Sequence, residues 1–128
     1  DVDVYNLTWE EAKSVYFQRY WQAGRCGDLP ARVAILHFDG CVNHGIGRAN
    51  KFLQRALGLD DDGKVGPMTL GAANEADPIE TCLAICDQRE KFYRSIVANK
   101  PNQSRFLKGW LRRIDEMRAF TCDPESEF

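Results

Sequence analysis

Asp39 stands in the most apolar stretch of the chain, Val33-Ala34-Ile35-Leu36-His37-Phe38-Asp39-Gly40-Cys41-Val42. Breaking a glycosidic bond ordinarily takes two carboxyl groups, one held protonated to release the leaving oxygen and one ionised to supply or stabilise the attack. An apolar surround disfavours the ionised form of a carboxyl, which makes Asp39 the candidate acid. The competing reading is that Asp39 accepts hydrogen bonds from a neighbouring helix end or an arginine, as buried carboxylates commonly do. Asn43 and His44 follow one helical turn later, and Asn43, four residues on, shares the Asp39 face most closely. Because an amide donates and accepts at once, Asn43 could position an N-acetyl group or a water. Two residues before Gly45, it could equally serve as an Asn-Gly style helix stop.

Other residue patterns suggest chemistry and mostly fail on geometry. His37, Cys41 and His44 fall at i, i+4 and i+7 on one helix, but at 1.5 Å per residue that ladder spans about 10 Å. Zinc ligands must each approach within about 2.3 Å of one ion, so no metal is expected. Asp60-Asp61-Asp62-Gly63 lacks the alternating ligands and the later Glu of a calcium loop, and is better read as a sharp turn. Cys82 and Cys86, one turn apart, are expected as small core residues, since side chains on a regular helix diverge from its axis. Aromatic rings in a cleft can stack on the faces of sugars. Trp9, Tyr20, Trp21 and Trp110 are the candidates, with Trp21 and Trp110 foremost; the alternative for each is helix packing.

The elements that must position these residues read as helices throughout, with no strand-like alternation of useful length. Thr8 and Glu11 form a capping box for a helix over 9–21. Pro30 suits the first turn of a second helix over 30–43, apolar on most sides and therefore central, with Gly45 and Gly47 breaking it. A third helix over 48–57 ends at Gly58, a good left-handed stop. Gly66-Pro67 starts a short helix to about residue 74, and Asp77-Pro78 caps a long one over 78–98 whose buried stripe is Ile79, Leu83, Cys86, Phe92 or Tyr93, and Ile96. A last helix over 104–120 carries Phe106, Trp110, Ile114 and Met117 on one face, and the polar tail from Thr121 is expected to fray.

Length and composition limit the class. With 128 residues, 44% hydrophobic and 28% charged, the chain fits one ordinary globular domain. Seventeen basic and 19 acidic residues leave a net charge of −2, too little field to favour nucleic acid. No apolar run approaches the roughly 20 residues needed to span a bilayer. The five cysteines are an odd set without the spacing of a secreted scaffold, which favours free thiols made in a reducing cytoplasm.

Four motifs follow one another in order: Asp28-Leu29-Pro30, then 38–45 (Phe-Asp-Gly-Cys-Val-Asn-His-Gly), then 53–58 (Leu-Gln-Arg-Ala-Leu-Gly), then 62–69 (Asp-Gly-Lys-Val-Gly-Pro-Met-Thr). Their order resembles the bacterial and phage muramidases of glycoside hydrolase family 108, some first called secretion activator proteins. The resemblance implies an all-α, lysozyme-like helical domain of five or six helices. Residues 1–44 would belong to the catalytic region, 45–120 to a peptidoglycan-binding-like region and 121–128 to a tail. It implies cleavage of peptidoglycan glycan strands at the periplasm or cell wall by a monomer needing no cofactor; on the residue readings above, Asp39 would be a catalytic carboxyl and Asn43, His44, Trp21 and Trp110 would lie at the substrate, although the family often has Ser where this chain has His44. Members carry their acidic residue in an N-terminal Glu-Gly-Gly-Tyr motif, a tetrapeptide absent from these 128 residues. The resemblance therefore also implies that this chain by itself is inactive, and that an upstream segment would pack on the second helix. A non-catalytic peptidoglycan-binding module, or a helical interaction protein of a phage or secretion assembly, is the alternative.

Overall fold

The computed structural model describes residues 9–128, which form six α-helices and two short 3-10 turns, with no strand among them. The helices are α1 (Trp9–Ala23), α2 (Ala31–His44), α3 (Ile46–Ala56), α4 (Pro67–Glu75), α5 (Pro78–Asn99) and α6 (Ser104–Thr121). The 3-10 turns, Cys26–Asp28 and Pro101–Gln103, precede α2 and α6. The all-α expectation holds. Thr8, half of the expected capping box, and the side chain of Trp9 lie outside the described part.

Local chemistry sets most of the helix ends. Asp77 caps α5 by accepting from the amides of Ile79 at 2.9 Å and Glu80 at 3.1 Å, with Pro78 in the first turn where no amide hydrogen is needed. At the end of α3, Leu59 donates to the Gln54 carbonyl and Gly58 to that of Arg55, the paired closure made possible by a Gly58 φ of 73°. Pro30 sits one residue earlier than expected, as the capping residue with ψ 144°, and its carbonyl accepts from Ala34. Gly45 alone separates α2 from α3: at φ 88° its N–H closes the first helix on Cys41 and its carbonyl opens the second to Ala49. Gly47 lies inside α3 and breaks nothing.

The core gathers around α2. Val33 and Leu36 meet Leu53 of α3, Cys82, Ile85 and Cys86 of α5, and Ile114 of α6, all buried. Phe38 is covered from α1 by Phe17 and Trp21, whereas Val42 stays 43% exposed. On α5 the stripe is rotated from the expected one. Leu83 is exposed, and the inward face carries Thr81, Cys82, Ile85, Cys86, Arg89 and Tyr93. Apolar residues on α5 are too evenly spread to select a face; the face turned inward is the one that carries Arg89, which there meets Asp39 and His44.

The C-terminal tail does not fray. The Arg32 guanidinium donates to the carbonyls of Thr121, Asp123 and Ser126 at 3.0, 2.6 and 3.0 Å, and lies over the Phe128 ring at 4.8 Å. Phe128 in turn stacks on Phe120. One long side chain thus supplies donors to the last carbonyl of α6 and to two carbonyls of the tail beyond it.

Candidate functional site

The site grows from the C-terminal half of α2. Asp39, 6% exposed, faces two arginines: Arg89 of α5, whose Nη2 lies 2.9 Å from Oδ2, and Arg113 of α6, which bonds Oδ1. The Arg89 approach is a charge contact without hydrogen-bond alignment, and Arg89 Nη1 has no protein partner, although the side chain is fully buried. Asp39 is therefore buried, as expected, but not isolated. Two guanidinium groups compensate it, which is the arrangement of the competing, structural reading.

His44 completes the cluster. Arg89 Nε donates to His44 Nε2 at 3.0 Å, so the imidazole accepts there and its proton is assigned to Nδ1. Burial, and then the charges of Arg89 and Arg48, push the imidazole down from 6.5 to about 4, against a smaller opposing pull from Asp39. The unfolded chain therefore binds a proton that the folded chain refuses between these values. It follows that the stability His44 contributes by staying neutral is fully present above pH 6.5 and is lost as pH falls toward 4. Denaturant unfolding measured across that range should show this slope in the native chain and a flatter one in His44→Gln; equal slopes would remove His44 from the pH response.

From His44 a run of rings leads outward. The imidazole meets Phe52 and Phe92 edge-on and Tyr93 at 5.0 Å; Tyr93 stacks on Trp110 with centroids 4.9 Å apart, and Trp110 on Phe106. Trp110 and Phe92 then line an open pocket of about 510 Å³ between the end of α5 and the start of α6, together with Ser95, Ile96, Asn99, Lys100 and Gln103. A larger and more open depression on α6, about 780 Å³, is lined by Leu107, Leu111 and charged side chains and has no aromatic ring.

Of the residues expected from the sequence, Asp39, His44 and Trp110 are thus joined in one network. Asn43 is exposed beside it, its amide donating to the Asp39 carbonyl at 2.8 Å within the helix while its own oxygen stays open. Trp21 is not part of the network; it stacks on Phe17 and touches Phe38 on the α1 side. The residues missed were Arg89, Arg113 and Tyr93. Arg89 could have been found: once Cys82, Ile85 and Cys86 are taken as inward, the next turn of that face is an arginine. His37 and Cys41 meet each other at 3.7 Å, away from His44's bond to Arg89, and no group of potential metal ligands gathers among the described residues. The acidic turn is a tie as expected: Asp62 accepts from Gln54 and the Lys64 amide, and Asp61 pairs with Arg55.

This division of the site between α2 and the helices that follow coincides with two family matches. Residues 1–45 match "Glycosyl hydrolase 108", and residues 48–115 match "Predicted Peptidoglycan domain". Among solved structures, SagA of Brucella abortus is 32% identical, with a TM-score of 0.77, over 93% of this chain and 68% of that one. The chain belongs to the glycosyl hydrolase 108 family. No curated protein sequence matches it. Within this peptidoglycan hydrolase-type chain, Asp39, Asn43 and His44 lie in the part that carries the hydrolase match, and Arg89, Tyr93, Trp110 and the pocket lie in the peptidoglycan domain. None of the described helices is long and apolar enough to cross a membrane.

Proposed function

We propose that this chain serves a lysozyme-type N-acetylmuramidase acting on the glycan strands of peptidoglycan at the cell wall, and that its own contribution is to hold the strand. The observation that carries this reading is the pocket of Trp110 and Phe92, lined also by Asn99 and Gln103, inside the matched peptidoglycan domain. An indole face can cover the C–H face of a sugar, while amides can exchange hydrogen bonds with an N-acetyl group. Asp39 acts as a positioning residue: it holds Arg89, which holds His44 at the end of α2 beside the exposed Asn43 oxygen. Trp21, in its separate cluster, is assigned to packing. The proton-donating carboxyl is assigned to the Glu-Gly-Gly-Tyr motif that these 128 residues lack.

Cosedimentation with purified peptidoglycan, together with an assay for released reducing ends, tests this. The 128-residue chain is expected to bind without cleaving, because general acid catalysis worth about 10²- to 10⁴-fold is absent. Trp110→Ala should weaken binding at least about tenfold, near 1.4 kcal/mol. Since Trp110 also supports Tyr93, Asn99→Ala and Gln103→Ala, in the pocket lining, provide variants with little structural consequence. Turnover by the chain alone would return catalysis to Asp39, and binding indifferent to all three variants would remove the pocket from the reading.

A further inference from the structure

Two thiols that the proposed function does not use converge between the first 3-10 turn and α2. A Cβ placed on Gly24 would lie 2.9 Å from Cys41 Sγ and 3.2 Å from Cys26 Sγ, so both sulfurs crowd a space that only glycine leaves open. Both residues are fully buried, and each thiol shifts the titration of the other. Cys41 Sγ also lies 3.7 Å from His37 Nε2. Cys26 borders a surface pocket of about 400 Å³ with Trp21, Leu29, Ile35 and Phe128, which brings it closer to solvent than the buried position of Cys41 in mid-helix.

We propose that Cys26 and Cys41 are a disulfide-forming pair, closed by exchange with a small disulfide of the oxidised-glutathione class. In the first step the Cys26 thiolate attacks one sulfur of the reagent, forming a mixed disulfide and releasing one reduced thiol. In the second, His37 Nε2 takes the proton of Cys41, whose sulfur attacks that of Cys26. The second reagent thiolate leaves and receives the proton. Two protein thiols are oxidised and one reagent disulfide is reduced to two thiols, so atoms and electrons balance.

The environment divides the roles. The neighbouring Cys41 thiol lowers the pKa of Cys26, while Cys26 and burial raise that of Cys41; together with its place beside the surface pocket, this makes Cys26 the first nucleophile. Burial pushes Cys82 and Cys86 up to about 12, which makes both poor competitors. The bridge would tie the connection after α1 to the helix that carries Asp39 and His44, so that movement from a reducing to an oxidising compartment would fasten that part of the fold.

The test is incubation of the folded 128-residue chain with oxidised glutathione, blocking of the remaining thiols with N-ethylmaleimide, and peptide mapping by mass spectrometry. A Cys26–Cys41 linked peptide is expected, with Cys82, Cys86 and Cys122 blocked. Cys41→Ser should stop at a stable glutathione adduct on Cys26, and Cys26→Ser should form no linked peptide, with any glutathione confined to the partly exposed Cys122. The native chain alone decides if a variant fails to fold. A link through any other cysteine, no link at all, or glutathione captured first by Cys41 would overturn the proposal.

Discussion

Arg89→Met is expected to lower the unfolding free energy by about 3–5 kcal/mol, the usual cost of leaving one member of a buried ion pair without its partner. Arg89 is fully buried, so no water can replace it. Its loss leaves Asp39 with Arg113 alone and His44 Nε2 without its donor. The methionine keeps most of the apolar stem, which isolates the charge from the packing. Against a total stability of about 5–15 kcal/mol, the change brings the chain near unfolding. The paired variant Asp39→Leu/Arg89→Met should recover much of the loss, since it removes both buried charges and leaves only Arg113, whose side chain is half exposed and can be solvated. Denaturant midpoints of the three variants check this. A single Arg89→Met variant within about 1 kcal/mol of the native chain would mean that the cluster does not hold α2, α5 and α6 together.

Gln54→Ala is expected to cost about 2–3 kcal/mol, more than any exposed substitution nearby. Gln54 is 2% exposed, and its amide ties the whole connection between α3 and α4. Nε2 donates to Asp62 Oδ1 and the Lys64 carbonyl at 2.9 Å and to Thr69 Oγ1 at 3.3 Å, while Oε1 accepts from the Gly63 amide at 2.9 Å. Each bond contributes about 1 kcal/mol net, and truncation also leaves backbone groups to find water in a partly covered turn. Gln54→Glu should be as damaging, because it turns a donor into a second carboxylate against Asp62. Arg55→Ala, which breaks only the exposed pair with Asp61, should leave the midpoint essentially unchanged. Equal effects from Gln54→Ala and Arg55→Ala would show that the turn holds its shape through its backbone alone.

The candidate site was legible in part for a clear reason. Asp39 announced itself as a carboxyl in an apolar helix, and His44 and Trp110 by residue type, because these features are local. Nothing local says that Arg89 and Arg113, far along the chain, converge on Asp39. Trp21 and Trp110 look alike in sequence, yet one packs against Phe17 and Phe38 and the other stacks on Tyr93 beside a pocket.

The sequence by itself determined where helices begin and end when the determinant is a backbone rule: Asp77-Pro78 at the start of α5, Gly58 at the end of α3, Gly45 between α2 and α3. Capping and left-handed φ depend on a few adjacent atoms, so residue type is sufficient there. Tertiary structure decided which face of α5 turns inward, because its apolar residues permit more than one face and the one turned inward is where Arg89 meets Asp39 and His44. It also decided that the polar tail folds back, since the donors its carbonyls require come from Arg32 on α2. Pairing of charges, thiols and rings across distant segments depends on which helices become neighbours, and that is set by the packing of the whole chain rather than by any stretch of it.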